Sequence, residues 1–214
     1  MESYQKEFIE YAIKNDVLRF GEFVLKSGRK SPYFFNCGEF KTGTQVAKLG
    51  HFYAKAIMQA GIEFDMIFGP AYKGIPLAVS TTMAFGQQHG KDIPFAFNRK
   101  EIKDHGEGGN IVGAALNGRV LIIDDVISAG TSVRESVEII KAAGATPVAV
   151  AISLDRQEVG ASNITAVQEV TEKYGMPVVS IAGLSELIEY MEFMKTYGNE
   201  LALINTYKAE YGSK

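Results

Sequence analysis

VLIIDDVISAGTSV, residues 120–133, drives four apolar residues into two adjacent acids and then into a run of small and hydroxyl side chains. The run 120–123 does not alternate with polar residues, so it reads as a strand buried on both faces. Acids are disfavoured inside strands. One Asp would only mark the strand's end, whereas Asp124 and Asp125 together, followed by Ser128, Ala129, Gly130, Thr131 and Ser132, form a more specific pattern. Val133, Val137 and Ile140 then recur at helical spacing up to Gly144. A helix N-terminus presents free N–H groups and a positive dipole end, so this loop can wrap a phosphate. The dipole supplies only about 0.3–1 kcal/mol, against the roughly 8 kcal/mol of micromolar binding, and other groups must share the ligand. A phosphate seated on the two acids would be repelled. The acids suit neutral hydroxyls, such as a ribose diol, or a divalent cation.

Outward from this unit the strand–helix alternation recurs. Val46, Leu49, Phe52, Tyr53, Ala56 and Ile57 make a helical stripe over 44–60, capped by Gly61. Residues 66–68 form a short buried strand ending in Gly69-Pro70, and a helix follows from about Gly74 with Pro76 in its first turn. Further strands are expected at 95–97, 148–154 and 178–181, and further helices at 163–175 and 185–197. Near the N-terminus, Phe8, Ile9, Ala12, Ile13 and Leu18 have helical spacing; 22–27 and 32–37 read as two strands, with Gly28, Arg29 and Lys30 at the hairpin turn. Residues 98–110, NRKEIKDHGEGGN, are polar, charged and glycine-rich, and are expected to form a mobile loop. Apolar strands alternating with helices imply a parallel sheet covered on both faces, with ligands beyond the carboxyl ends of its strands. GPAYKG, NRK with its loop, DDVISAGTS and DR each follow a strand and are expected to converge on one crevice. The first 40 and last 30 residues do not fit the alternation and are expected to cap that crevice.

Composition removes several function classes. The 214 residues are 46% hydrophobic, enough for one well-cored domain. A net charge of −3 offers no basic excess for nucleic acid. No apolar run approaches a membrane span, the N-terminus lacks a signal core, and a cytoplasmic protein is expected. The single cysteine, Cys37, excludes a disulfide framework and suits a reducing compartment. It has no adjacent activating base and reads as a small strand residue. His105 has no second His or Cys at ligand spacing, which argues against zinc. Neither GxxxxGK[ST] nor a GxGxxG after a strand is present, which sets aside a P-loop and a dinucleotide site. What remains is a ribose 5-phosphate cradle, with the phosphate on the small-residue loop and the diol on the acids.

VLIIDDVISAGTS resembles the phosphoribosyl diphosphate (PRPP) signature of the type I phosphoribosyltransferases. KSGRKSPYFFN (26–36), GPAYKGIPLA (69–78), NRKEIKDHGEGG (98–109) and LDRQE (154–158) resemble, in order and spacing, orotate phosphoribosyltransferase over essentially the whole chain, its bacterial homodimeric form most closely. The resemblance implies an α/β type I phosphoribosyltransferase fold with a mostly parallel central sheet flanked by helices. It implies a single domain over 1–214, with a core at about 41–184 and a small hood from about 1–40 and 185–214. The implied reaction is Mg²⁺-dependent transfer of ribose 5-phosphate from PRPP to orotate, giving orotidine 5′-monophosphate and diphosphate, in pyrimidine biosynthesis.

The resemblance also assigns residues. It sets Lys26, Tyr72, Lys73, Arg99, Lys100, Lys103 and His105 against PRPP, together with Asp124, Asp125, Val126, Ile127, Ser128, Ala129, Gly130, Thr131 and Ser132. It sets Phe34, Phe35, Ser128 and Arg156 against orotate. Ser128 stands where the family pattern usually has threonine, so the hydroxyl is kept and a methyl lost. Lys103 is the expected main catalytic cation, on a loop that closes over the site and reaches into the partner subunit's site in a homodimer. Asp124 and Asp125 are expected to hold the ribose hydroxyls. Mg²⁺ is expected mainly on PRPP oxygens and water, with Asp124 or Asp125 as its protein contact, if any. Residue chemistry agrees independently. Orotate is a flat anion, Phe34-Phe35 offers an aromatic face and backbone contacts, and Arg156 offers a bidentate fork for the carboxylate. These residues weigh against a phosphoribosyltransferase for another base. The net charge, and the lack of an extension for a helix-turn-helix, weigh against a PRPP-sensing regulator that binds nucleic acid. The chain ends at Lys214 with no second domain for a fused decarboxylase, so the product is expected to pass to a separate enzyme.

Overall fold

Two hydrophobic cores lie on opposite faces of one sheet, and the strand sequences explain why. The computed structural model describes residues 1–25, 27–103, 109–128, 130–160 and 163–213, with 102, 103 and 109 by their backbone alone. The chain opens with helix α1 (Ser3–Lys14) and the antiparallel hairpin β1 (Leu18–Val24) and β2 (Lys30–Phe35). Then follow α2 (Gly43–Gln59), β3 (Met66–Gly69), α3 (Gly74–His89), β4 (Phe95–Lys103), β5 (Gly109–Gly113), β6 (Arg119–Ile123), α4 (Thr131–Ala142), β7 (Thr146–Asp155), α5 (Ala166–Tyr174) and β8 (Val178–Gly183). The sheet order is β5-β4-β3-β6-β7-β8. Its strands are parallel except β5, which runs antiparallel on the edge beside β4.

Successive strand residues point to opposite faces. Ile67, Leu121, Ile123, Ala149 and Ala151 therefore enter one core, with Leu49, Phe52 and Ile57 of α2 and Leu77 and Phe85 of α3. Their neighbours Met66, Phe68, Val120, Ile122, Val150 and Ile152 enter the other, with Val133, Val137 and Ile140 of α4 and Val170 of α5. The uninterrupted apolar runs follow from this, because neither face of these strands meets water.

The two ends of the chain meet over the first core. Helices α6 (Leu184–Met194) and α7 (Gly198–Tyr211) close the sequence. Phe8, Tyr33, Phe35, Leu187, Tyr190, Ile204 and Tyr207 share that core. The N-terminal amine lies 2.9 Å from Glu189 of α6, and the rings of Phe20 and Tyr197 are 5.3 Å apart.

The structure corrects the sequence reading in several places. Within the expected loop at 98–110, β4 runs on to Lys103 and β5 begins at Gly109, with Asn98 opposite Ile111 and Lys103 opposite Gly109, while residues 104–108 lie outside the described residues. Ladder hydrogen bonds are made by backbone, so an edge hairpin tolerates charged side chains. The N-terminal strands lie earlier than expected, and Cys37 is not in a strand but in the 3₁₀ turn Cys37–Glu39. Asn36 terminates β2 there, its Oδ1 accepting from the Gly38 N–H at 3.1 Å. Helix α6 stops three residues early because Lys195 is left-handed at φ +56°. The apolar spacing of Leu201, Ile204, Tyr207 and Tyr211 in α7 was not read as a helix. Among the described residues no helix is long and apolar enough to cross a membrane.

Candidate active site

Segments after β3 and β6, with Asn98 and Lys100 of β4 as the third, line one cleft at the carboxyl edge of the sheet, and a fourth follows β7. The first follows β3. Gly69 and Gly74 bracket its turn so closely that a Cβ on Gly69 would stand 2.1 Å from the Gly74 carbonyl oxygen, and a Cβ on Gly74 would stand 2.7 Å from the Gly69 carbonyl carbon. Only glycine permits that approach, and it throws Ala71, Tyr72 and Lys73 outward. Asn98 of β4 ties the turn down, its Oδ1 accepting from the Ala71 N–H at 2.9 Å.

The second segment is the acid pair after β6. The Asp124 N–H still donates to the Ala151 carbonyl at 3.0 Å, extending the β6–β7 ladder past the strand end. Each acid then folds its carboxylate onto the next peptide. Asp124 Oδ1 accepts from the Asp125 N–H, and Asp125 Oδ1 accepts from the Val126 N–H, both at 2.9 Å. Gly130 takes the left-handed conformation at φ +66° and opens α4, with Thr131 exposed and Ser132 half-buried at its first turn. A cleft of about 310 Å³ lies between this loop and the first segment, lined among others by Ala71, Asn98, Asp124, Ser128, Thr131 and Ser132.

Charge is concentrated in the cleft floor. Lys73 Nζ lies 2.6 Å from Asp125 Oδ2 and 3.4 Å from Asn36 Oδ1. Asp124 is buried. Its desolvation, together with the neighbouring Asp125 charge, pushes its carboxyl up to about 6, against a lowering contact from the Ser132 hydroxyl and the Lys73 charge. Burial works against the Lys73 ammonium, but its contact with Asp125 outweighs that, and its pKa is raised.

The fourth segment follows β7. The Arg156 guanidinium lies 4.1 Å from the Tyr33 ring centroid. Its Nε donates to Glu158 Oε1 at 2.7 Å and a terminal nitrogen donates to Ser31 Oγ at 2.9 Å. A planar cation is thus held between a ring, a carboxylate and a hydroxyl beside β2, and it does not line the cleft.

A phosphoribosyl transferase domain matches residues 38–174. The orotate phosphoribosyltransferase of Thioalkalivibrio sulfidiphilus is 58% identical over 212 residues, covering 99% of this chain and all of that one. The chain belongs to the orotate phosphoribosyltransferase family. The crystal structure of the Francisella tularensis orotate phosphoribosyltransferase superposes with a TM-score of 0.88 at 40% identity, over 97% of this chain and all of that one. The fold recurs in Leishmania donovani UMP synthase with a TM-score of 0.75 at 24% identity, over 96% of this chain and 42% of that one.

Set in this family, the residues expected in the site divide into three groups. Asp124, Ser128, Gly130, Thr131 and Ser132 line the cleft with Val126, Ile127 and Lys100 of β4, and Lys73 pairs with Asp125, the neighbour of Asp124. Lys100 Nζ stands 5.3 Å over the exposed ring of Tyr72, and Arg99 beside it is half-buried. The second group is arranged otherwise than the sequence suggested. Phe34 and Phe35 are neighbours on a strand and face opposite ways. The Phe35 ring is core, packed on Phe8 at 6.1 Å, while Phe34 stacks on Phe23 at 5.4 Å, so their two rings do not form one face. Arg156 is already paired with Glu158. The third group, Lys26, His105 and Ala129, lies outside the described residues, as does the Lys103 side chain at the end of β4.

Sequence reasoning missed Asn36, Asn98, Glu158, Tyr53 and Ser153. Asn36 follows β2 and Asn98 follows the apolar run 95–97 within β4, and an amide that holds a turn is common after such a run. Tyr53 sat in the apolar stripe of α2 and read as core.

Proposed function

We propose that the chain transfers ribose 5-phosphate from PRPP to orotate, giving orotidine 5′-monophosphate and diphosphate. The observation that carries this is the placement of Asp124 and Asp125 at the strand edge, with the opening of α4 on one side and Lys73 on the other. Phosphate fits the helix N-terminus, where Gly130, Thr131 and Ser132 offer backbone and hydroxyl donors. The ribose hydroxyls fit the acids, and the diphosphate fits Tyr72, Lys73, Arg99 and Lys100, with Lys26 and His105 completing its cations. The orotate carboxylate fits Arg156, with Phe34, the Phe35 backbone and Ser128 beside the ring.

In the reaction a nitrogen of orotate forms a bond to C1 of the ribose as the bond from C1 to diphosphate oxygen breaks. The bonding pair leaves with diphosphate, and C1 inverts. Positive charge grows on the ring and negative charge on the leaving group. Asp124 and Asp125 hold the hydroxyls and favour the first; Lys73, Lys100 and Lys103 favour the second. Lys73 must turn from Asp125 to the diphosphate as PRPP enters. The closing of the 98–110 segment would bring Lys103 in and exclude water from a cation that water would otherwise capture. The donor set at the cleft is carboxylate and hydroxyl oxygen, which fits Mg²⁺ held chiefly by PRPP oxygens and water, near Asp124 or Asp125. When bound, Mg²⁺ would neutralise the leaving diphosphate. The reading includes a cytoplasmic homodimer in which Lys103 serves the partner subunit's site, and a hood from about 1–40 and 185–214 over the core at 41–184.

The test is loss of orotate ultraviolet absorbance on adding PRPP and Mg²⁺, with adenine, hypoxanthine and uracil run in parallel. Orotate turnover that needs both additions supports the reading. Turnover of another base alone would remove Phe34, Phe35 and Arg156 as orotate residues.

A further inference from the structure

The acid pair is held from below by side chains the reaction does not use. Tyr53 of α2 is fully buried, and its hydroxyl donates to the Asp124 carbonyl at 2.7 Å. Ser153 of β7 is fully buried too. Its Oγ–H donates to the Asp125 carbonyl at 2.5 Å, beside its own backbone N–H at 2.9 Å. Because the Ser153 proton is spent on that carbonyl, the Cys37 thiol, 3.2 Å away, donates to Ser153 Oγ. Two consecutive peptide carbonyls thus each receive a hydroxyl, from elements that meet only in the folded chain. The Asp125 and Val126 N–H groups are bound locally, by the two carboxylate-to-peptide contacts, while Lys73 holds the other oxygen of Asp125.

We infer that Tyr53 and Ser153 are positioning residues for PRPP: by pinning the carbonyls of Asp124 and Asp125, they set the direction in which both carboxylates meet the ribose hydroxyls. Without the Tyr53 hydroxyl the Asp124 carbonyl loses that donor, and without the Ser153 hydroxyl the Asp125 carbonyl keeps the Ser153 backbone N–H alone; a buried carbonyl short of a donor turns to find another. Rotating either peptide swings its carboxylate, since each carboxylate is fastened to the next peptide. Displacements of about 1 Å in positioning groups lower rates by about 10²-fold. The effect falls on PRPP and the transition state rather than on orotate. The inference rests on the proposed role of Asp124 and Asp125.

The experiment compares Tyr53→Phe, Ser153→Ala, Ser153→Thr and Asp125→Asn by steady-state kinetics with both substrates varied, alongside thermal melting. The expected result is a loss of about tenfold or more in kcat/KM for PRPP in Tyr53→Phe and Ser153→Ala, an unchanged KM for orotate, and partial recovery in Ser153→Thr, which restores the hydroxyl. If Tyr53→Phe fails to fold, the Ser153 pair alone decides. The inference is overturned if melting temperatures fall while kcat and KM for PRPP stay within about twofold of the parent, provided Asp125→Asn is impaired. Should Asp125→Asn itself leave PRPP kinetics intact, the assignment of the acids fails instead, and the two failures are told apart.

Discussion

Replacing Asp124 by Asn should make the protein more stable and less active, and the structure gives the size of the first effect. Burial beside Asp125 raises the Asp124 carboxyl from 3.8 to about 6. At about 1.36 kcal/mol per pH unit, that rise amounts to about 3 kcal/mol disfavouring the folded, ionised protein at neutral pH. The sign follows from linkage. A carboxyl raised in the folded state holds its proton more tightly there, so its stabilising contribution is fully present below pH 3.8 and is lost as pH rises through about 6. Asn cannot ionise, yet its Oδ1 can keep the contact with the Asp125 N–H. The variant should therefore melt roughly 6–12 °C higher at pH 7.5, on the usual scaling for a chain of this length. That gap should shrink progressively as the pH is lowered to 4.5. The same change should lower kcat/KM for PRPP by about 10²-fold, the scale of one lost preorganised group. Melting curves of the ligand-free protein at several pH values check the claim. A gap of equal size at pH 4.5 and 7.5, or a less stable variant at pH 7.5, would refute the reasoning.

Other perturbations follow from the same geometry. Lys103→Ala should lower kcat by about 10²-fold or more at saturating substrates; mixed with Asp125→Asn chains, it should regain activity in verified heterodimers, and no regain would remove the shared-site proposal. Arg156→Ala should raise the KM for orotate by about 10–100-fold, the scale of one charged hydrogen bond, with the KM for PRPP unchanged; initial-rate kinetics separate the two. Gly74→Ala places a methyl 2.7 Å from both the Gly69 carbonyl carbon and Pro70 Cδ, so the turn must open, and a melting scan should show a loss of about 1–3 kcal/mol together with weaker PRPP binding.

The sheet was legible because periodicity records burial. The runs at 66–68 and 120–123 are apolar at every position, and 148–154 at every position but Ser153; only a strand between two cores needs that. The cleft was legible because Gly69-Pro70, the paired acids and Gly130 each mark where a strand gives way to a loop. What stayed hidden was set by partners far along the chain. The strands beside Lys103 and Gly109 depend on backbone pairing, which charged side chains disguise. Phe34 and Phe35 looked like one aromatic face, yet a strand sends neighbours to opposite sides. The tie between Arg156 and Glu158 spans two residues, but its geometry needs Ser31 and Tyr33, more than 120 residues earlier. Tyr53 and Ser153 gave no local sign, since a tyrosine in an apolar stripe and a serine in a buried strand read as packing until Asp124 and Asp125 are seen above them.

Cys37 gives the molecule a built-in clock. It is the chain's one thiol, buried below the acid pair, and burial pushes it up to about 12, so at ordinary pH almost none of it is thiolate. A thiol reagent reaches it readily only when the structure around it opens, and the labelling rate then counts those openings. A ligand that bridges Lys73, Asp125 and the α4 loop draws two of the converging segments together and slows the clock in proportion to occupancy. Substrate binding can thus be timed from an atom that touches no substrate.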